Sequence, residues 1–552
     1  MRALEGLQPE RVFYYFEEIS KIPRGSYHEK AISDYLVEYA KEHGIIYYQD
    51  ELYNVVMQVP GSKGREDEEP VILQGHLDMV CEVRPGVNKD MEKEGLEIYV
   101  EDDYIHAKDT TLGGDDGIAV AYMLAIADDK SISHPPMEFI ITVSEEVGME
   151  GANGIDLSML KGHKMLNIDS EDEGVFTTSC AGGVSAHVRI PVEWNFLVSM
   201  DGADIEIKSD EVTESAPCYA KDNMDEDISG DGKESGKNIS WYKVSVSGLA
   251  GGHSGTEIDK GRANANKILG RVLNELLTEV NFYLADVCGG KKDNAIPIQA
   301  EAVIGFIGDA EEIDGLAKKT EEVINKLDSV LKKEYSRSDE NISVSVNEFK
   351  NQDVLIDKIN NSRNITESVT DKNDHGNEVG VKVLTEESKR KVITYLMNVP
   401  NGIQNMSMSV PGLVETSLNL GILELKGDHL FAQHAVRSSV TTRKEYVLRQ
   451  LESLANILGG KVELKGDYPA WEYRENSEVR EKVITLYEKM YGKAPVVEGI
   501  HAGLECGLLA SKIPELDCVS MGPNIYDIHT YNEKLSISST KRVYDFLIEF
   551  LK

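Results

Sequence analysis

Val71-Ile72-Leu73-Gln74-Gly75-His76-Leu77-Asp78 decides the fold. Three apolar residues without alternation, followed at once by polar groups, read as a strand buried on both faces with chemistry at its carboxyl end. Two more apolar runs repeat the design: Phe139 to Val143 leads into Ser144-Glu145-Glu146, and Met165-Leu166-Asn167-Ile168 leads into Asp169. Helical spacing precedes and separates these runs. It is carried by Val12, Tyr15, Phe16 and Ile19 within Pro9 to Ile22, and by Ile32, Leu36 and Tyr39 within Glu29 to His43. The Ala-rich stretch Gly117 to Ala127 suits a buried helix. Alternating helices and two-sided strands predict an α/β fold. In open α/β sheets sites form beyond the carboxyl ends of strands, so His76, Asp78, Glu145, Glu146 and Asp169 are expected to converge. Gly113-Gly114-Asp115-Asp116-Gly117, at the head of the buried helix, offers more carboxylates where the helix dipole favours them.

The texture changes near Gly183. Trp241 to Val246 alternates like a half-exposed strand, and Arg262 to Val280 has strong helical spacing. After about Tyr468 the α/β texture returns, with helical stretches at Glu478 to Tyr491 and Thr540 to Leu551 and a short apolar run at Cys518 to Met521. The expected organisation is one catalytic domain, residues 1–183 and 469–552, split by an inserted α+β lid, residues 184–468. Asp204 to Asn238 and Ser336 to Asn377 are polar and read as surface insertions. Asp225-Glu226-Asp227-Ile228-Ser229-Gly230 resembles the opening of a calcium loop, but its twelfth position is Gly236 where a Glu is wanted.

The 58 Lys and Arg against 96 Asp and Glu give a net charge of −38, which argues against nucleic-acid and anionic-membrane partners. The longest apolar stretch falls far short of the roughly 20 residues that span a bilayer. Six scattered cysteines without a CxxC pair and an acidic start without a signal pattern point to the cytoplasm. Five or more clustered carboxylates repel one another, and divalent cations remove that cost. A His and carboxylate mixture suits zinc or a similar first-row ion.

The motifs Gln74-Gly75-His76-Leu77-Asp78-Met79-Val80, Thr111-Leu112-Gly113-Gly114-Asp115-Asp116-Gly117, Ser144-Glu145-Glu146-Val147-Gly148 and Asn167-Ile168-Asp169-Ser170 resemble those of aminoacyl-histidine dipeptidases. These belong to the di-zinc exopeptidase superfamily that includes carnosinases. The resemblance continues through Gly251-Gly252-His253-Ser254-Gly255, Gly261-Arg262-Ala263-Asn264-Ala265, Arg437-Ser438-Ser439 and His501-Ala502-Gly503-Leu504-Glu505-Cys506-Gly507, and ends at Ile528-His529-Thr530.

The resemblance implies two divalent ions, zinc first and cobalt or manganese as alternatives. His76 and Asp169 would hold one, Glu146 and His529 the other, and Asp115 would bridge them. Asp78 would orient His76, Glu145 would act as general base, and the Asp115–Asp116 peptide would be cis. His253 would steady the oxyanion, and Asn264 and Arg437 would grip the substrate carboxylate. A tight turn at 251–255 and a surface ion pair at Arg437 are the structural alternatives, and His501 reads as a supporting or structural residue. Asp116, where the motif usually has Asn, adds a carboxylate. The implied protein is a homodimeric Xaa-His dipeptidase, with His253 arriving by lid closure or from the partner subunit. The alternatives are a broader di- or tripeptidase, an N-acyl-amino-acid amidohydrolase, or a metal- or peptide-binding protein without catalysis.

Overall fold

The computed structural model describes residues 2–200, 204–209, 233–235, 237–349 and 379–552. An eight-stranded sheet is built from both ends of the chain. Its order is Ile46–Gln49, Val55–Val59, Met137–Thr142, Val71–His76, Lys164–Asn167, Asp517–Ser520, Val175–Cys180 and Val496–Ile500. The four central strands, Met137–Thr142 to Asp517–Ser520, run parallel, so their carboxyl ends open on one side.

The absence of alternation in these strands has a direct cause. Val71, Leu73, Phe139, Ile141 and Leu166 point into one apolar core, while Ile72, Ile140 and Met165 point into a second on the opposite face. Both pleats are therefore apolar. The first core is closed by the helices Glu10–Ser20, Lys30–His43, Gly114–Asp128, Glu478–Tyr491 and Ile537–Leu551. Every residue of Gly114–Asp128 from Asp116 to Ala127 is buried, as the Ala-rich stretch predicted. Its Tyr122 donates to the Thr540 carbonyl at 2.9 Å and stacks on Tyr544, which welds the last helix to the first half of the chain.

The described residues between 182 and 468 build a separate antiparallel sheet of nine strands around their own core. The helices Ala265–Glu279, Ala310–Glu334, Glu386–Asn398 and Thr441–Ile457 pack against it. The fold is thus a mixed α/β catalytic domain carrying an inserted lid. The two polar stretches read as surface insertions are in part regular structure. Asp204–Ser209 pairs with Trp194–Met200, which pairs in turn with Val379–Leu384, and Ser343–Glu348 pairs with the edge of Asn238–Ser247. Polar composition hid them: Ser343–Glu348 is an edge strand, which buries one face at most, and Asp204–Ser209 sets Ile205 and Ile207 between charged residues. The calcium-like segment 225–236 lies outside the described residues, apart from the strand residues Lys233–Ser235.

Leu124 lies at the centre of the buried helix and is 0% exposed. Leu124→Ala should lower the unfolding free energy by about 2–5 kcal/mol, measured by urea denaturation, because a cavity there cannot collapse against two packed layers.

Candidate metal centre

The ligand candidates stand where the parallel strands end. His76 is the last residue of Val71–His76, Glu145 and Glu146 follow Met137–Thr142 by three and four positions, and Asp169 follows Lys164–Asn167 by two. Asp115 opens the buried helix, and His529 lies between the short strands Ile525–Tyr526 and Lys534–Ser536. Ser144 and His529 hold φ values of 51° and 60°, a left-handed backbone that costs free energy in residues with a Cβ. Glu29 secures the first of these by accepting both the backbone N–H of Ser144, at 3.0 Å, and its hydroxyl, at 2.8 Å. The Asp115–Asp116 peptide is cis.

Asp115 sits between two imidazoles. Its Oδ1 is 3.1 Å from His76 Nε2, and its Oδ2 is 3.1 Å from His529 Nε2. Asp169 Oδ1 lies 3.6 Å from His76 Nε2, and Glu146 Oε1 lies 3.0 Å from His529 Nε2. That Glu146 oxygen is buried and makes no hydrogen bond despite the short approach, as expected of an atom meant for a cation. Asp115, Glu146 and His529 form one group with ligand atoms within 4.8 Å of one another, and His76 forms others with Asp116 and Asp169 and with Glu145 and Glu146. These donor sets fit divalent metal ions.

The electrostatics carry the same message. Burial alone would lower the pKa of His76, but Asp115, Asp169 and Asp78 outweigh it and hold the imidazole well above its usual value. The hydrogen bond to Asp115 and the adjacent Glu146 carboxylate push His529 up to about 10. Burial raises Glu145 well above the carboxylate range; His76 offsets part of this, while Asp169, Glu505 and Glu146 add to it. Asp116 is raised for the same reason, by burial first and then by Asp169.

Asp78 accepts the backbone N–H groups of Glu145 and Glu146 at 3.0 and 3.2 Å and the Ser26 hydroxyl at 2.8 Å, with His76 Nδ1 3.4 Å away. It therefore aims the imidazole and the glutamate turn together.

The sequence profile of peptidase family M20/M25/M40 matches residues 72–552, the span that holds every one of these candidate ligands. The chain belongs to that family. It is 32% identical to the cytosol non-specific dipeptidase of Escherichia coli K12 over 552 residues, covering 100% of this chain and 99% of the relative. The aminoacylhistidine dipeptidase of Vibrio alginolyticus superposes with a TM-score of 0.81 at 30% identity, covering 99% of this chain and 97% of that one. The aminopeptidase PepT of Bacillus cereus, at a TM-score of 0.50, 14% identity and coverage of 99% and 98%, shares the fold.

This M20 chain has a second polar cluster, where lid and catalytic elements meet. His253 Nδ1 accepts from the backbone N–H of Gly255 and Thr256 at 3.3 and 3.2 Å. Burial, then the Arg437 charge, lower its pKa, and with Nδ1 accepting, the neutral ring has Nε2 as its donor. Arg437 donates to the Tyr468 hydroxyl at 3.0 Å and keeps a buried Nε–H without a partner. His501 holds the Ser417 hydroxyl at 2.7 Å, and burial followed by the Arg437 charge lowers it to about 3.

Asn264 is not in this cluster. It caps the helix Ala265–Glu279 by accepting from Asn266 and Lys267, and its amide donates to Asn401, Asn419 and the Leu420 carbonyl. Its side chain is thus engaged inside the lid, at the head of that helix.

Four residues beyond His501, Glu505 is buried and accepts from Gln74 and Thr142, each at 2.6 Å. Burial pushes its own pKa up to about 8, it helps raise that of Glu145, and sequence reasoning gave it no role. The motif His501 to Gly507 includes it, but what it touches was not legible there, because its partners lie 431 and 363 residues away.

Asp115→Ala should remove most of the bound metal from both positions, measured by elemental analysis of gel-filtered protein. His76→Ala and His529→Ala should each weaken a different position. One ion per chain, indifferent to Asp115→Ala, would refute a shared carboxylate.

Proposed function

We propose that the chain hydrolyses dipeptides, Xaa-His dipeptides among them, in the cytoplasm, using two zinc ions held by His76, Asp115, Glu146, Asp169 and His529. The observation that carries this reading is Asp115, whose two oxygens each face a different imidazole at 3.1 Å. The named relatives support a dipeptide substrate, one of them described as non-specific and the other as acting on aminoacyl-histidine.

Two divalent ions in such a cluster supply a Lewis acid for the scissile carbonyl and acidify the attacking water. The chain's own residues do the rest. Glu145, its proton affinity raised by burial, takes the proton from water as the C–O bond forms and delivers it to the amine nitrogen as the C–N bond breaks. His253 Nε2–H donates to the oxyanion, and Arg437, with its spare buried N–H, grips the carboxylate of the C-terminal residue. Under this reading residues 1–183 and 469–552 form the catalytic domain and 184–468 the lid.

Glu145→Gln keeps the side-chain shape but cannot shuttle a proton. Dipeptide turnover should fall about 10²–10⁴-fold with both ions retained. Loss of metal along with activity would make Glu145 a ligand, and equal peptide binding without turnover by wild type and variant would make the protein a binder.

We further infer a homodimer in which each lid lends His253 to its partner's site. His253→Ala and Glu145→Gln homodimers should both be nearly inactive. Co-expression at equal levels should restore about a quarter of wild-type activity, since random pairing leaves that fraction of sites whole. No recovery on co-expression would put His253 in its own chain's site.

A further inference from the structure

The loop Leu112–Gly114, immediately before Asp115, is held between two buried ions. Glu533, 3% exposed, accepts the N–H groups of Leu112 and Gly113 at 2.7 and 2.9 Å on one oxygen and that of Gly114 at 2.8 Å on the other. From the opposite side Arg24, 2% exposed, donates to the carbonyl of Gly113 and, through its other terminal nitrogen, to those of Leu77 at 2.8 Å and Asp78 at 3.3 Å. The Gly113–Gly114 peptide thus offers its C=O to a guanidinium and its N–H to a carboxylate. Glycine is needed there: Gly113 has φ +65°, and a Cβ on Gly113 or Gly117 would run into the Arg24 guanidinium.

The contacts of this pair join three ligand-bearing segments. Arg24 grips the backbone just after His76, both ions grip the backbone just before Asp115, and Glu533 stands four residues after His529. We propose that Arg24 and Glu533 are a positioning clamp that sets the separation of Asp115 from His529, and with it the affinity of the cation position these two share with Glu146. That position draws two ligands from the segments Glu533 ties together, whereas the position at His76 draws only Asp115 from them. The clamp rests on the reading of Asp115, Glu146 and His529 as a cation site.

A buried carboxylate satisfied by backbone N–H groups can also serve stability alone, and the same domain supplies the comparison. Glu138, 3% exposed, accepts from Lys161 and Gly162 at 2.9 to 3.1 Å, at the amino end of the strand whose carboxyl end bears the glutamates. Full-length wild type, Glu533→Gln and Glu138→Gln would be stripped of metal and titrated with Zn²⁺ against a chromophoric chelator. Loss of outer-shell support costs about 10–100-fold in metal affinity, so Glu533→Gln should weaken one of two zinc positions by that factor, the one His529→Ala abolishes. Glu138→Gln should lower Tm and leave both affinities alone. If Glu533→Gln lowers Tm but leaves both affinities unchanged, or weakens both alike, the pair only pins a loop and the clamp is wrong. Should Glu533→Gln be insoluble, Glu533→Asp, which keeps the charge but shortens the reach, is held to the same outcomes. A wild type that binds fewer than two zinc ions would overturn the metal reading first, and the clamp with it.

Discussion

Mutual repulsion among buried carboxylates is the constraint on which this molecule turns. Asp78, Asp115, Asp116, Glu145, Glu146, Asp169 and Glu505 are drawn to one end of a parallel sheet, with two imidazoles as their close counter-charges. Charge at that density away from water is costly unless cations share it, and the protonation tendencies of the cluster express that cost. The carboxylates with few partners, Asp116 and Glu145, are driven toward the neutral form by burial, while the imidazoles are driven toward the charged form by the carboxylates. Divalent cations relieve both tendencies at once, so metal binding and the integrity of this end of the fold are one thermodynamic problem.

The sheet makes the cluster possible because it is rigid where the ligands leave it. Two apolar cores grip alternate residues of each central strand, and the strand ends cannot shift without disturbing both. The candidate ligands Glu145, Glu146 and Asp169 stand two to four residues beyond the strands, with Asp78 bonded to the glutamate turn and Glu29 to Ser144. The lid is built on a different plan, an antiparallel sheet with its own core, so it can carry His253 and Arg437 without taking part in metal binding. The stretch from His501 to Glu505 touches both regions: its first residue meets Ser417 of the lid sheet, and its last lies beneath the glutamates.

Most of the catalytic half was legible in local sequence. Non-alternating runs announced two-sided strands, the Ala-rich segment announced a buried helix, and polar residues just beyond each run announced a site. The lid was less legible. Asp204–Ser209 and Ser343–Glu348 passed for polar insertions because strands held by backbone bonds to their neighbours need few large apolar residues. The cap that Asn264 forms was not legible either, because Asn401, Asn419 and Leu420, which its amide meets, lie far along the chain.

What the sequence by itself determined is whatever depends on neighbours a few residues apart: strand and helix periodicity, the pairing of Glu145 with Glu146, and the motifs that identify a metal-dependent peptidase fold. Tertiary structure decided what depends on groups far apart in the chain. His529 reaches Asp115 across 414 residues, Gly114 donates to Glu533 across 419, and Gln74 meets Glu505 across 431. No local pattern encodes such encounters, because each is set by the packing of whole layers rather than by the conformational preferences of either segment. That is why the candidate residue types could be read in advance, while their arrangement around a single carboxylate, and the contacts of Arg24 and Glu533 beside it, required the folded chain.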